Sequence, residues 1–320
     1  MTATRRVEWA GFVQTRPRAA CDPFGPRTVS VNGDRYLCLT RMADLTNLGD
    51  RFRFTLFTND PVLSAEADGA GIDRVGPDLE RLGKIERQGG MGRWISDHEE
   101  EELPAIYAKL HCASRFVRCN PPHSGLADEI NRLIALGAQT IMLPHFHTLD
   151  QAREFARTVN GRARTVLLAE TVRSATRVAQ LSQIEGVDEI HFGLNDLSLD
   201  LGVNNQFSVL CSTLLEDACA TLAALEFPFA VGGIARALDV TLPVPSELVY
   251  AQYPRLGATG ALLSRVYFNG LQKAQLTQEI SRTRERLNYW SRQPVRCLLA
   301  AREELQALVP ASPGVHPIDR

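Results

Sequence analysis

Eight short apolar segments recur along the chain from about Phe52 onward, and longer segments of helical period separate them. In order, they are RFTLFT, RVGPDLE, RFVRCN, TIMLP, TVLLAE, EIHFGL, FPFAVGG and GALLSRVY. Eight strands in succession with helices between them are typical of a (β/α)8 barrel, in which each helix returns the chain to the next parallel strand. We therefore predict an α/β fold built on a single TIM barrel.

Glycines mark the ends of the predicted helices. Gly71, Gly137, Gly186 and Gly257 each follow a segment of helical period and precede a strand-like segment. A glycine at this point is the usual C-cap of a helix, because it adopts a left-handed conformation without steric cost. The regular spacing of these caps supports one domain.

Three segments lie outside the repeat. Residues 1–50 form an N-terminal extension, in which RTVSVNGDRYLCLT has the pattern of a β-hairpin with a turn at Asn32-Gly33. The barrel is predicted over residues 51–270. Residues 271–309 are predicted to form two amphipathic helices, broken at Pro294, that cap the barrel or serve in oligomerisation, and residues 310–320 to form a disordered tail.

Charge and cysteine content exclude several classes of protein. The 35 basic and 37 acidic residues give a net charge of −2 without long blocks of one sign, which argues against a nucleic-acid partner or a membrane surface. No apolar run approaches the roughly 20 residues that span a bilayer, and the N-terminus lacks the apolar core of a signal peptide. The seven cysteines are scattered without C-x-x-C spacing. We predict a cytoplasmic protein with reduced cysteines.

Polar residues stand where the predicted strands end. The inward-facing side chains at the C-terminal ends of barrel strands converge on one mouth, where the active sites of TIM barrels are built. The candidates, in chain order, are Asp78, Glu80, Arg118, Asn120, Glu170, Asp196 and Arg236.

Glu170 and Asp196 are the pair that most suggests chemistry. They are 26 positions apart, which is about one βα unit, so they are predicted to lie on neighbouring strands at similar height. Two carboxylates in such a position suit Mg²⁺ or Mn²⁺, which prefer oxygen ligands and retain waters that a substrate can displace. An acid/base pair, or salt bridges to Arg118, would use the same residues. The spacing alone leaves these alternatives open.

Four motifs resemble those of one family. GLNDLSLDLG resembles the G-x-N-D-L-S/A-x-x-L-G signature of the HpcH/HpaI aldolase and citrate-lyase β-subunit family, which consists of metal-dependent TIM barrels that act on pyruvate-like groups. VRCNPP, IMLPHF and LLAET resemble its motifs on strands three, four and five. The motifs occur in the family's order between about residues 54 and 268. The resemblance implies a TIM barrel that uses a divalent metal.

Carried over residue by residue, the resemblance implies a role for each motif. Glu170 and Asp196 would bind Mg²⁺ or Mn²⁺, and Arg118 would contact a carboxylate or enolate oxygen of the substrate. The backbone of Gly193, Leu194 and Asn195 would hold the other carboxylate oxygen. A metal and Arg118 together would stabilise the negative charge that develops on a ketone oxygen when a C–C bond breaks or forms.

Strand two departs from the family pattern. Pyruvate aldolases of the family resemble D-x-E-H at this point, with the histidine as acid/base. In DLERLGK, Asp78 and Glu80 are retained as catalytic candidates, but Arg81 occupies the position of the histidine. His98, in WISDHEEEE, is the replacement candidate, although a solvated helix start is the alternative interpretation. The chain is thus similar to an atypical branch of the family.

The remaining histidines and one arginine have weaker interpretations. His145 and His147 follow strand four, where the family has no histidine ligands, so we do not expect a metal there. His123 is predicted either to touch substrate or to be a polar loop residue, and His191 to be an ordinary strand residue. Arg236, in GGIAR, is predicted to bind a second anionic group of the substrate or to pair with a barrel carboxylate.

The predicted function is a divalent-metal-dependent lyase or aldolase that acts on an enolisable 2-oxo acid and an aldehyde partner. One alternative is a CoA-ester lyase of the malyl or citramalyl type, because DLER is also similar to the D-L-E-D of those enzymes. The other is a barrel without catalytic activity that serves as a binding or scaffold subunit. The resemblance and the amphipathic C-terminal helices also predict a homo-oligomer, a trimer or hexamer.

Overall fold

The computed structural model describes residues 47–83, 97–272 and 275–309. The predicted N-terminal extension up to residue 46, with its hairpin, and the predicted disordered tail at residues 310–320 lie outside these residues. All of the described residues belong to one compact unit.

A parallel sheet forms the centre of the structure. Its strands follow one another in chain order around the barrel, in the sequence β7-β6-β5-β4-β3-β2-β1-β9-β8, with β9 beside β1. The strands are β1 (Arg53–Phe57), β2 (Arg74–Gly76), β3 (Ser114–Arg118), β4 (Thr140–Leu143), β5 (Arg164–Ala169), β6 (Glu189–Phe192), β7 (Phe229–Val231), β8 (Gly233–Ile234) and β9 (Gly260–Leu263).

Strands β7 and β8 are two halves of the predicted seventh strand. Gly232 separates them with a positive φ of 52°, which turns the chain between two pairing partners. β7 pairs with β6, and β8 pairs with β9. Hydrogen bonds from Thr259 N–H to Phe229 O and from Leu262 N–H to Gly232 O join the two edges of the sheet. The predicted TIM barrel is therefore confirmed, with its seventh strand bent at a glycine.

Helices connect the strands on the outside of the barrel. They are α1 (Leu48–Arg51), α2 (Pro61–Gly69), α3 (Leu103–Tyr107), α4 (Leu126–Ala135), α5 (Leu149–Val159), α6 (Val172–Ala175), α7 (Val178–Leu181), α8 (Leu194–Asp200), α9 (Thr213–Ala224), α10 (Ser246–Tyr250), α11 (Gln252–Leu256), α12 (Leu276–Ser291) and α13 (Val295–Leu308). Short 3₁₀ helices lie at Glu100–Glu102, Gln206–Cys211 and Arg265–Phe268.

Local sequence explains where these helices begin and end. Asp60 caps α2 by accepting the backbone N–H of Val62, and Thr148 and Gln151 form a capping box at the start of α5. The predicted C-cap glycines Gly71, Gly137, Gly186 and Gly257 all have a positive φ, between 79° and 99°. Gly71 and Gly137 directly follow the C-caps of α2 and α4, and Gly257 is the C-cap of α11, so these three predicted helix ends are confirmed. The prediction for Gly186 is wrong, because α7 ends at Leu181 with Ser182 as its C-cap and Gly186 lies in the turn beyond.

The barrel interior is filled by side chains at every second strand position. Phe116, Met142, Val166 and Leu168 form a buried cluster inside the barrel. Residues two positions further along a strand point to the same side. Arg118 follows Phe116 in this way, and Glu170 follows Leu168, so both side chains point inward at the C-terminal end of the barrel.

The two C-terminal helices pack on the outside of their own barrel. In α12, the Arg284 guanidinium donates to the carbonyl oxygens of Gly49, Phe52 and Gly71 at the N-terminal ends of the first strands. In α13, Arg302 pairs with Glu216 of α9. No helix in the described part of the chain is long and apolar enough to cross a membrane.

Candidate active site

Arg118 lies at the centre of an ionic cluster at the mouth of the barrel. Its Nε and Nη2 donate to the two carboxylate oxygens of Asp78 at 2.7 and 2.6 Å, and Nη2 lies 3.1 Å from Glu80 Oε2. Burial disfavours the charged guanidinium, but Asp78 and Glu80 outweigh this effect and raise the pKa of Arg118 above its ordinary value. Arg118 therefore carries a permanent charge at the end of β3.

His98, 20 positions after Asp78 in the sequence, joins this cluster. Its Nδ1 accepts the backbone N–H of Asp78 at 2.9 Å. Because Nδ1 is an acceptor in this bond, the neutral imidazole carries its proton on Nε2. Partial burial, opposed by the charges of Asp78, Glu102 and Asp97, lowers the pKa of His98 below 6.5. His98 is thus a neutral imidazole of fixed tautomer near pH 7.

Arg81 contacts the backbone of His98. Its Nη2 donates to the carbonyl oxygen of His98 at 2.8 Å and to Glu99 Oε1 at 2.7 Å. Its own backbone N–H donates to Asn120 Oδ1, just beyond β3. The arginine that occupies the position of the family histidine therefore contacts the replacement candidate predicted from the sequence.

Glu170 and Asp196 lie on the other side of the mouth. Glu170 follows β5 directly, and Asp196 lies in the first turn of α8, after the neighbouring strand β6. Both are buried, with 3% and 9% of their surface exposed. The backbone N–H of His145 donates to Glu170 Oε1 at 2.8 Å. Glu170 is also among the charges that raise the pKa of Arg118, so the two halves of the mouth interact electrostatically.

Gly193 leaves room for the Glu170 carboxylate. A Cβ atom at position 193 would stand 2.9 Å from Glu170 Cβ and 3.0 Å from Oε2. Such contacts are too short for any residue other than glycine at this position. The glycine of the sequence motif is thus explained by the close approach of Glu170 to the backbone.

The donor set fits a divalent cation that binds few protein ligands. Among the described residues, no three His, Cys, Asp or Glu side chains gather in a way that could hold a metal. Glu170 and Asp196 are two buried hard-oxygen donors. Mg²⁺ is commonly held by one or two carboxylates, while waters and substrate oxygens complete its coordination. The residues present therefore fit Mg²⁺ or Mn²⁺, provided that oxygens from outside the protein contribute.

Other predicted site residues have structural partners. Arg236 follows β8 at the mouth, where its Nη2 donates to Asp239 Oδ2 at 3.0 Å. His123 bonds to the buried Glu129 at 2.8 Å. His191 is buried in β6 and bonds through Nε2 to the Gly232 carbonyl. Burial lowers the pKa of His191 to about 4, so it is neutral at pH 7.

The residues predicted to bind substrate through their backbone are Gly193 and the two residues that follow it. Leu194 is buried, and its side chain packs against the backbone at Gly232, where a Cβ atom would lie 2.4 Å from Leu194 Cδ1. The Asn195 side chain is exposed. His145 and His147, beyond β4, stack edge-to-face with ring centroids 4.6 Å apart.

Two residues at the mouth were missed by the sequence reasoning. The Phe57 ring, at the end of β1, lies under the Arg118 guanidinium with 4.8 Å from Cζ to the ring centroid. Arg265 follows β9, and the charges of Asp78 and Arg118 both influence its pKa, which burial lowers. Phe57 lies two positions after Thr55 in β1, so the alternation of side chains along a strand could have predicted that Phe57 points inward. Arg265 gave no comparable signal.

Comparison with known proteins identifies a matching family and several similar structures. The model of the HpcH/HpaI aldolase/citrate lyase family matches residues 58–218, which include β2 to β6 and the motifs at their ends. No protein of curated function matches the chain in sequence.

Three solved structures illustrate the similarity. A family member from Burkholderia cenocepacia J2315 has 15% identity and a TM-score of 0.55 over 76% of this chain and 99% of that one. An aldolase from Desulfitobacterium hafniense DCB-2 has 18% identity and a TM-score of 0.52 over 69% of this chain and 89% of that one. A citrate lyase β subunit from M. tuberculosis, solved with oxaloacetate and magnesium, has 19% identity and a TM-score of 0.50 over 75% of this chain and 99% of that one. At these identities, the likeness shows a common fold.

Proposed function

The chain belongs to the HpcH/HpaI aldolase/citrate lyase family, and from this premise we propose that it is a divalent-metal-dependent carbon–carbon lyase or aldolase acting on a 2-oxo acid. Members of this family are metal-dependent lyases. The support for the proposal is that Arg118 ends β3 and that Glu170 and Asp196 follow β5 and β6, at the same end of the barrel, with both carboxylates buried and with Glu170 among the charges that raise the pKa of Arg118.

Glu170 and Asp196 are the proposed ligands of Mg²⁺ or Mn²⁺. The citrate lyase β subunit with a similar fold was solved with magnesium and oxaloacetate, which is a 2-oxo acid. A divalent cation at this place supplies Lewis-acid polarisation of the ketone oxygen of a bound 2-oxo acid. The Gly193 backbone and the His145 N–H fix the position of the Glu170 carboxylate.

Arg118 is the proposed donor to the substrate oxygen. Among the described residues, its hydrogen bonds use Nε and Nη2, both held by Asp78, so Nη1 is the nitrogen that we assign to the substrate. The bidentate bond to Asp78 fixes the plane of the guanidinium. A positioned cation of this kind stabilises an enolate oxygen more in the transition state than in the ground state, which is the requirement for catalysis.

Proton transfer is the proposed role of His98 with the carboxylates of strand two. The imidazole is neutral near pH 7, because its pKa lies below 6.5, and its Nδ1 accepts the backbone N–H of Asp78. The Nε2–H is therefore the group that would donate to a substrate oxygen, and His98 would take up a proton at Nδ1 only by releasing the Asp78 N–H. Asp78 and Glu80 are also proposed to contribute to catalysis, because they keep Arg118 charged and hold it in position. The backbone of Gly193, Leu194 and Asn195 is the proposed cradle for the second carboxylate oxygen. Arg236 is kept as a proposed contact to a further anionic group.

The decisive experiment follows the C3 protons of 2-oxo acids. The protein is incubated in D₂O with Mg²⁺ or Mn²⁺ and pyruvate, and ¹H NMR records the loss of the methyl signal. We expect deuterium at C3 in the presence of metal and none after treatment with EDTA. Turnover only of malyl-type CoA thioesters would favour the CoA-ester lyase instead, and metal binding without either reaction would favour a non-catalytic barrel.

Variants of the two carboxylates separate metal binding from folding. Glu170→Gln and Asp196→Asn should each weaken Mn²⁺ binding, measured by titration calorimetry, at least about tenfold, because an amide oxygen is a poorer ligand than a carboxylate. Glu285→Gln, on the exposed face of α12, is the matched control. Wild-type Mn²⁺ affinity in both mouth variants would remove the proposed metal site.

The assembly and location of the protein are further proposals. We propose a homo-oligomer, a trimer or hexamer, in the cytoplasm. The support for the oligomer is the family resemblance together with the two amphipathic helices, and the support for the location is the sequence.

A further inference from the structure

Large apolar side chains are exposed around one sector of the barrel mouth. The described part of the chain exposes eight large hydrophobic side chains, and four of them follow strands β2, β8 and β9 at their C-terminal ends: Leu82, Leu238, Val240 and Val266. Strands β8, β9, β1 and β2 are consecutive in the barrel. Exposure of apolar side chains is common on a protein surface, but their concentration beside a mouth indicates a binding surface.

The loop that carries two of these residues has a defined shape. Leu238 and Val240 have 62% and 94% of their surface exposed, and Leu238 has a positive φ of 60°. A leucine rarely adopts this conformation, and its cost must be offset by surrounding contacts. Asp239 supplies them, because its carboxylate accepts the backbone N–H and the hydroxyl of Thr241 and also bonds Arg236. The loop thus exposes two apolar side chains to solvent on either side of the hydrogen-bonded Asp239.

This loop lies beside the loop that carries Val266. The backbone N–H and the hydroxyl of Ser264 both bond to the Ile234 carbonyl, which joins the ends of β8 and β9. Arg265, next to Val266, interacts electrostatically with Asp78 and Arg118. The apolar rim, defined as Leu238, Val240 and Val266, therefore follows β8 and β9 at the end of the barrel where the mouth lies.

We propose that this rim binds an apolar substituent on the carbonyl partner of the 2-oxo acid. The inference rests on the proposed function. The charged groups lie deep, since the Arg118 side chain is 12% exposed and that of Asp78 is 4% exposed. In this proposal, a 2-oxo acid bound at Arg118 extends its C3 substituent out of the mouth, toward the rim. The fitting substrate is a 4-hydroxy-2-oxo acid with an alkyl or aryl group at C4.

The cleavage of such a 4-hydroxy-2-oxo acid needs no oxidant or reductant. The C4 hydroxyl proton leaves to a base, and the C3–C4 bond breaks. Its electron pair forms the enolate of pyruvate while C4 becomes the apolar aldehyde. The enolate then takes a proton at C3. In the reverse direction, the same rim would receive the apolar aldehyde.

The test compares two substrates of equal chain length. One 4-hydroxy-2-oxo acid carries a pentyl group at C4, and the other carries a carboxybutyl group. Pyruvate release with Mg²⁺ or Mn²⁺ is followed by coupling to lactate dehydrogenase. We expect kcat/KM to favour the pentyl substrate by at least about tenfold, because contact with several methylene groups on a partly open surface gives a preference of this order.

Rim variants show whether the preference comes from these residues. The double variant Leu238→Ser, Val240→Ser should reduce the ratio of the two kcat/KM values about tenfold. A general loss of activity lowers both values alike and cancels in their ratio, and the rate of C3 exchange of pyruvate in the same variant shows whether the enolising site is intact. Leu299→Ser, an exposed leucine on α13, is the matched control and should leave the ratio unchanged.

Three results would overturn the inference. A preference for the carboxybutyl substrate would point to Arg265 as an anion-binding group in place of the rim. An unchanged ratio in the double variant would show that the rim does not touch the substituent, while the proposed lyase activity would stand. Release of no pyruvate from either substrate, together with no C3 exchange, would overturn the proposed function and this inference with it.

Discussion

Replacing Glu189 by glutamine should destabilise the protein strongly, because Glu189 closes an ion pair across the barrel interior. Its carboxylate bonds Arg74 at 3.0 and 2.7 Å and lies 3.2 Å from Arg53. Glu189 begins β6 and Arg74 begins β2, four strands apart in the barrel order, so the bond crosses the bore at its N-terminal end. The Arg74 and Glu189 side chains are 6% and 2% exposed.

Two arguments give the same magnitude. Removing one partner of a buried pair leaves an uncompensated charge, which typically costs about 3–5 kcal/mol. Independently, burial disfavours the charged form of Glu189, but Arg74 and Arg53 outweigh it and lower its pKa from 4.5 to about 2. A gap of this size corresponds to about 3 kcal/mol at about 1.36 kcal/mol per pKa unit. We expect Glu189→Gln to lower the free energy of unfolding by about 3–5 kcal/mol at pH 7.

The pH dependence has a defined sign. Because the folded-state pKa of Glu189 is depressed, its contribution is present above pH 4.5 and is lost as the pH falls toward about 2. The difference in unfolding free energy between wild type and Glu189→Gln should therefore shrink over this window. Urea denaturation followed by circular dichroism measures it.

A double variant separates the pair from its parts. Arg74→Met with Glu189→Leu removes both charges, and replacement of a buried pair by apolar groups is often neutral or stabilising. Arg53 is 28% exposed and can be solvated once its partner is gone. We expect the double variant to be within about 1 kcal/mol of wild type or above it. A double variant as unstable as Glu189→Gln, or a Glu189→Gln protein of wild-type stability, would refute the reasoning.

Four further predictions concern the mouth and the assembly. Arg118→Lys should slow C3 exchange by a factor of about 10² to 10³, and a wild-type exchange rate would contradict the role of Arg118. Loss of the bidentate bond to Asp78 in this variant should also lower the free energy of unfolding by roughly 1–3 kcal/mol. Gly193→Ala should weaken Mn²⁺ binding in calorimetry, because the added Cβ would stand 2.9 Å from Glu170 Cβ. An unchanged affinity would contradict the displacement of a metal-binding Glu170 by this Cβ. Protonation of His98 breaks its Nδ1 bond to the Asp78 N–H, so His98→Gln should remove the fall in exchange rate that this protonation causes below pH 6.5. An identical pH profile would exclude His98 from the pH dependence of exchange. Light scattering at micromolar concentration should give a trimer or hexamer, and a monomeric mass would contradict it.

The barrel and the strand ends could be predicted from the sequence because both depend on local pattern. The period of each apolar segment fixes which side chains point inward, and the C-cap glycines fix where the helices stop, as the positive φ values of Gly71 and Gly257 confirm. Glu170 and Arg118 could be selected because a residue at the end of an inward-facing strand row must reach the mouth. The motif residues added the family, which the match over residues 58–218 establishes.

The pairing of charges inside the barrel was decided by the tertiary structure alone. From the sequence, Arg118 was as free to pair with Glu170 or Asp196 as with Asp78, which it binds, and the bond between Arg74 and Glu189 joins residues 115 positions apart. Local pattern sets the direction of a side chain, but the partner depends on the tilt and stagger of strands on opposite sides of the barrel. That geometry results from packing the whole sheet, and no single segment encodes it.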